Sequence, residues 1–137
     1  MKVVGETLIN PSEDPDRVIK CLQNSVNGGS ISIRNNTATI SSEGIQSLHH
    51  VRIGIKSRLS AGVARRLLDL NRSDSTTWIL LNKQAAYSGI IALVENWNES
   101  VLGPIRITIH STNLDQVIDW LLHCLKNPKA EKKIKEE

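Results

Sequence analysis

Three polar residues, Asn82, Lys83 and Gln84, break out of an apolar run that begins at Trp78. A lysine flanked by two amides at the end of a strand can hold a small anion such as a phosphate or a carboxylate. The ammonium supplies charge and the amides supply directed donors. The small residues Ala85, Ala86 and Gly89 beside them let a ligand or another backbone approach closely. The competing reading is structural: the amides satisfy backbone groups in a turn, and the two alanines pack beneath a helix. No glycine-rich phosphate cradle backs the anion site, because Pro104 in Gly103-Pro104 removes an N–H that such a nest needs. Asn82 and Gln84 therefore read as turn residues, and Lys83 is the one that turn chemistry leaves unexplained.

A second candidate is a basic stretch. Residues 31–72 hold seven bases and two acids, a net +5 within a chain of formal charge +3 and pI near 9.0. Arg52 and Lys56 stand at i, i+4, and Arg65 and Arg72 at i, i+7, so each pair can share a helix face. Together with Arg58 and Arg66, and with Arg34 upstream, they could track the phosphates of RNA. Two features weigh against that. Asp69 lies within a turn of both Arg65 and Arg72, and no aromatic platform on which bases could stack is interleaved with these residues. A solvated helix face is the favoured reading, with RNA as the alternative and DNA not expected.

Metal and nucleophile chemistry find little footing. His49 and His50 are adjacent on a helix and point apart, as do His123 and Cys124, and no C-x-x-C or H-x-x-x-H pattern occurs. No metal, cofactor or catalytic residue is expected. Cys21 and Cys124 read as small buried core residues rather than a disulfide. Asp115 and Asp119 read as cap and surface residues of a last helix.

The elements that must position these residues follow from periodicity. Residues 2–9 predict a strand closed by Asn10-Pro11, and Asp14-Pro15 predicts a helix start with the acid as N-cap. Ile31, Ile33, Ala38 and Ile40 alternate about Asn35-Asn36, the pattern of a hairpin with one buried face. Residues 44–71 predict two helices broken near Ser57–Gly62, with apolar stripes Ile45, Leu48, Val51, Ile55 and then Val63, Leu67, Leu70. Trp78–Leu81 predicts a strand, Asn82–Tyr87 a turn or single helical turn, Ile90–Val94 a strand, and residues 96–99 a loop. Ile105–Ile109 predicts another strand. It carries a single charge and reads as an edge that something must protect. A final helix begins at Thr112 or Asn113 and stops at Asn127-Pro128. Hairpins and single-stripe helices make this an α+β two-layer sandwich, a mainly antiparallel sheet with helices on one face. Its single domain spans 1–126, and 127–137 is a charged tail expected to be disordered. With no Phe and only 3% aromatic residues, the core must be aliphatic. No apolar run suits a membrane span, and an early acid at Glu6 argues against a signal peptide, so the protein is expected in the cytoplasm.

Leu80-Leu81-Asn82-Lys83-Gln84-Ala85-Ala86 and Ser100-Val101-Leu102-Gly103-Pro104-Ile105 together resemble the signature of a small archaeal family of uncharacterised proteins. Pro11–Pro15, Val63–Leu68 and Ile118–Leu121 add to the likeness, which covers roughly residues 3–125. Ala61-Gly62 departs from it, standing where family members carry an acid. The resemblance implies a fold like that of the 5S-RNA-binding large-subunit ribosomal protein and a homodimer, and it brings no catalytic residues. The reading is thus a non-catalytic, homodimeric cytoplasmic protein. RNA binding through the basic helical face is the alternative, and an enzyme with an anion site near Lys83 comes last.

Overall fold

The computed structural model of the chain describes residues 1–99 and 102–122. It is an α+β two-layer structure, in which six strands form one antiparallel sheet. These are β1 (Lys2–Leu8), β2 (Ser30–Arg34), β3 (Thr37–Glu43), β4 (Thr76–Leu81), β5 (Leu93–Val94) and β6 (Ile105–His110). Their order across the sheet is β2-β3-β1-β6-β4-β5. The helices are α1 (Pro15–Ser25), α2 (His49–Ser57), α3 (Ala61–Leu70), α4 (Lys83–Tyr87) and α5 (Leu114–Leu122), with short 3-10 turns at Ile45–Leu48 and Trp97–Glu99.

Alternation decides which sheet face is buried. Val3, Ala38, Ile40, Ile79, Leu81, Ile105, Ile107 and Ile109 point to one side, where they meet Leu22, Val51, Ile55, Leu68, Val117 and Leu121 from the helices. The opposite side holds half-buried Val4, Glu6, Thr39, Trp78, Arg106 and Thr108. Local signals set the ends of several elements. Asp14 caps α1 by accepting the N–H of Asp16 at 3.0 Å, with Pro15 at the first helical position. Asn35 and Asn36 both take positive φ, which makes the two-residue hairpin turn between β2 and β3. The α2–α3 break falls where Leu59 adopts φ +52.

Four expectations need correction. Ile105–Ile109 is no edge: β6 pairs with β1 on one side and β4 on the other. Its one charge, Arg106, is met across the strand by Glu6, so an interior position needs no charged guard. The α3 stripe is Ala64, Leu67 and Leu68, whereas Val63 and Leu70 lie seven residues apart on an exposed flank. The hairpin buries Ala38 and Ile40 but leaves Ile33 48% exposed, because nothing described lies beyond β2. The strand expected over Ile90–Val94 shortens to Leu93–Val94. The charged tail and Cys124 fall outside the described residues.

Candidate functional site

Lys83 is the residue to explain first. It is 2% exposed, among the largest fully buried side chains of the protein. Asn82 ends β4 and caps α4, its side-chain oxygen accepting the Ala85 N–H at 2.9 Å. That cap turns the next residue inward. The Lys83 ammonium donates to the carbonyls of Leu8 at 2.7 Å and Leu102 at 2.8 Å, and to Glu13 at 3.0 Å. An ammonium has three N–H donors, and this arrangement uses all three. Glu13 is held as firmly, since its Oε1 also accepts from the Asn10 backbone N–H at 3.0 Å and side-chain amide at 2.7 Å. Burial alone would raise the Glu13 pKa, but the hydrogen bonds from Asn10 and Lys83 outweigh it and hold the carboxyl below its ordinary range. The cluster ties together the end of β1, the β1–α1 loop, α4 and the segment at Leu102.

The anion-site reading of Asn82, Lys83 and Gln84 therefore divides. Asn82 is consumed as a cap, Lys83 is saturated by internal acceptors, and Gln84 stands exposed on the rim of a cavity of about 330 Å³. Ser12, Glu13, Arg17, Cys21 and Tyr87 also line that cavity. Burial pushes the Cys21 thiol pKa up, away from the thiolate a nucleophile needs. Arg17 and Lys20 both lie over the Tyr87 ring, at 5.7 and 5.1 Å from its centre. Arg17 and Lys83 face Glu13 and Asp14 around the cavity, so its formal charges cancel.

The six basic residues suggested for RNA do not form one open face. Arg65 pairs with Asp119 at 2.9 Å, Arg72 with Asp115, and Arg66 with Glu95. Arg72 holds the Asp115 carboxyl below the ordinary carboxylate range. Asp115 and Asp119 are thus more than surface residues of α5: they meet Arg72, which lies two residues past the end of α3 and so shares no helix face with Arg65, and Arg65 within α3, tying α3 and the segment after it to α5. The Arg52 guanidinium stacks on buried Trp120 at 4.4 Å. Lys56 sits in the last turn of α2, and Arg58 follows it as the C-cap.

Sequence reasoning missed Glu13 as the partner of Lys83. The two are 70 residues apart, and only the adjacency of the β1–α1 loop to the end of β4 unites them. Among the described residues, no group of three or more His, Cys, Asp or Glu side chains comes together as metal ligands do. No described helix is long and apolar enough to cross a membrane.

No family model matches the sequence. Among curated proteins, a UPF0201 protein of Aeropyrum pernix is 34% identical over 131 residues, covering 88% of this chain and 84% of the relative. A UPF0201 protein of Pyrobaculum islandicum is 32% identical over 126 residues, covering 88% of each. The fold matches the crystal structure of an uncharacterized UPF0201 protein with a TM-score of 0.77 at 23% identity, over 93% of this chain and 97% of that one. It matches a UPF0201 protein from Methanococcus jannaschii at a TM-score of 0.75 and 20% identity, over 93% and 96%. The last two bear on the fold alone. The sequence kinship extends along nearly the whole chain, and the protein belongs to the UPF0201 family of archaeal proteins.

Proposed function

We propose that this is a non-catalytic, homodimeric cytoplasmic protein that works by binding rather than turnover, on a fold resembling the 5S-RNA-binding large-subunit ribosomal protein. The observation that carries the non-catalytic part of this reading is the state of Lys83. The one residue that turn chemistry left unexplained spends every donor inside the protein, on Leu8, Leu102 and Glu13. A general base or an anion-binding ammonium needs a donor or lone pair directed at its substrate. The RNA alternative loses support because Arg65, Arg66 and Arg72 close onto carboxylates and Arg52 onto an indole face.

Competitive labelling of the native protein with acetic anhydride tests this. Lys83 should stay unmodified while solvent-exposed lysines such as Lys2 and Lys20 react, and it should become reactive only on unfolding. Ready acetylation of Lys83 in the folded protein would sink the non-catalytic reading.

A further inference from the structure

We infer that β2 is the subunit interface, and that two copies of this chain join their sheets by antiparallel pairing of β2 about a two-fold axis through Ser32. The inference rests on the homodimeric reading above and goes further by naming the surface.

The sheet has two edges, and they are not equivalent. β5 has two residues, too short to template another strand. β2 has five, and Ser30, Ser32, Ile33 and Arg34 are all exposed. Of the usual guards of a free edge it has one charge, Arg34 at its last position, and no proline, no lysine and no charge pointing toward the core. Ile31 and Ile33 pair with Ile40 and Ala38 of β3, both buried, so the two isoleucines lie on the apolar side of the sheet. Ile33, 48% exposed there, is a core-facing side chain with half its cover missing.

The hydrogen-bond register makes this edge self-complementary. The turn at Asn35-Asn36 has two residues, so Arg34 and Thr37, which flank it, form a hydrogen-bonded pair. The bond from the Ile9 N–H to the Asn36 carbonyl fits the same alternation on the far side of β3. It follows that Ser30, Ser32 and Arg34 direct their backbone groups to β3, while Ile31 and Ile33 direct theirs outward. With a two-fold axis at Ser32, Ile31 of one copy faces Ile33 of the other, and these are the residues with groups to exchange. Each exposed isoleucine then meets an isoleucine. Arg34 meets Ser30, so no like charges oppose each other. A five-residue edge is small beside the roughly 1,600 Å² of a standard interface, so the dimer should dissociate on dilution.

The test combines two variants with the mass of the full chain in solution. Ile33→Pro deletes an outward N–H and leaves the hydrogen bonds of β2 to β3 intact. It should raise the dissociation constant by about tenfold or more, with unchanged circular dichroism. Ser32→Cys, with Cys21 and Cys124 replaced by alanine, should crosslink into a covalent dimer under mild oxidation. Opposed non-hydrogen-bonded residues lie at about 4.5 Å between Cα atoms, within disulfide reach. Ser30→Cys in the same background should not crosslink, because its counterpart across the axis is Arg34. A dimer that survives Ile33→Pro, with no crosslink through Ser32→Cys, overturns this interface and leaves the homodimer standing. A wild-type chain that is monomeric at its highest soluble concentration overturns both.

Discussion

A buried ammonium is tolerable only when its neighbours replace water completely, and around Lys83 they do. Removing one partner leaves the others stranded, which costs far more than the pair itself contributes. Lys83→Met should therefore lower stability to denaturant by about 3–5 kcal/mol, because it takes the counter-charge from the Glu13 carboxylate and the ammonium donor from the Leu8 carbonyl, while Asn10 keeps its own bonds to Glu13 and to the Leu102 carbonyl. An unchanged unfolding midpoint would mean that the amine is solvated. The acid side of the same pair gives a pH test. Glu13 is held below its ordinary pKa, so its contribution is complete at neutral pH and is lost as the pH falls through and below the ordinary glutamate range. Glu13→Gln should be less stable than wild type at neutral pH and show a shallower loss on acidification, measured by urea melts across pH. The sequence exposed half of this. Lys83 could be singled out because polar residues interrupt an apolar strand there. Its partner could not, since Glu13 reads as one more acid in a Pro-Ser-Glu-Asp-Pro loop until the fold folds that loop over β4.

At the scale of elements, close approach and charge matching fix how the helices sit. A Cβ added at Gly54 in α2 would fall onto the side chain of Ile91, well inside contact distance. Gly54→Ala should cost about 1–3 kcal/mol in a thermal or denaturant melt, unlike Gly62→Ala in α3, where the added carbon meets open space. The α3–α5 arginine–aspartate ladder is exposed and should behave as a matched set. Arg65→Asp should lower the melting temperature, and adding Asp119→Arg should recover most of the loss. If the double variant melts no higher than the single one, the pair carries no coupling. Strong local chemistry made several elements legible beforehand: the Asp14-Pro15 start of α1, the Asn35-Asn36 turn and the break between α2 and α3. Legibility failed where tertiary neighbours decide. The low charge of Ile105–Ile109 fits an unguarded edge or a strand paired on both sides, and only the strand order separates them. Val63 and Leu70 fit a helical stripe by spacing, yet α3 turns the face with Ala64, Leu67 and Leu68 toward the core.

For the whole molecule, Lys83 and the arginines Arg65, Arg66 and Arg72, which looked equipped for chemistry, are engaged within the protein, and among the described residues β2 leaves one side of its backbone unpaired. Two-layer architecture was readable from the element order, because single-stripe helices must cover one face of a sheet. The edges of the sheet were not readable, because they depend on which strands end outermost. The expected edge was Ile105–Ile109, whereas the strands at the edges are β2 and β5. The central claim, that this protein acts as a homodimer, is tested most directly by light scattering over a dilution series. The mass should approach twice 15.2 kDa at high concentration and fall toward 15.2 kDa on dilution. A constant mass of 15.2 kDa up to the limit of solubility would contradict it.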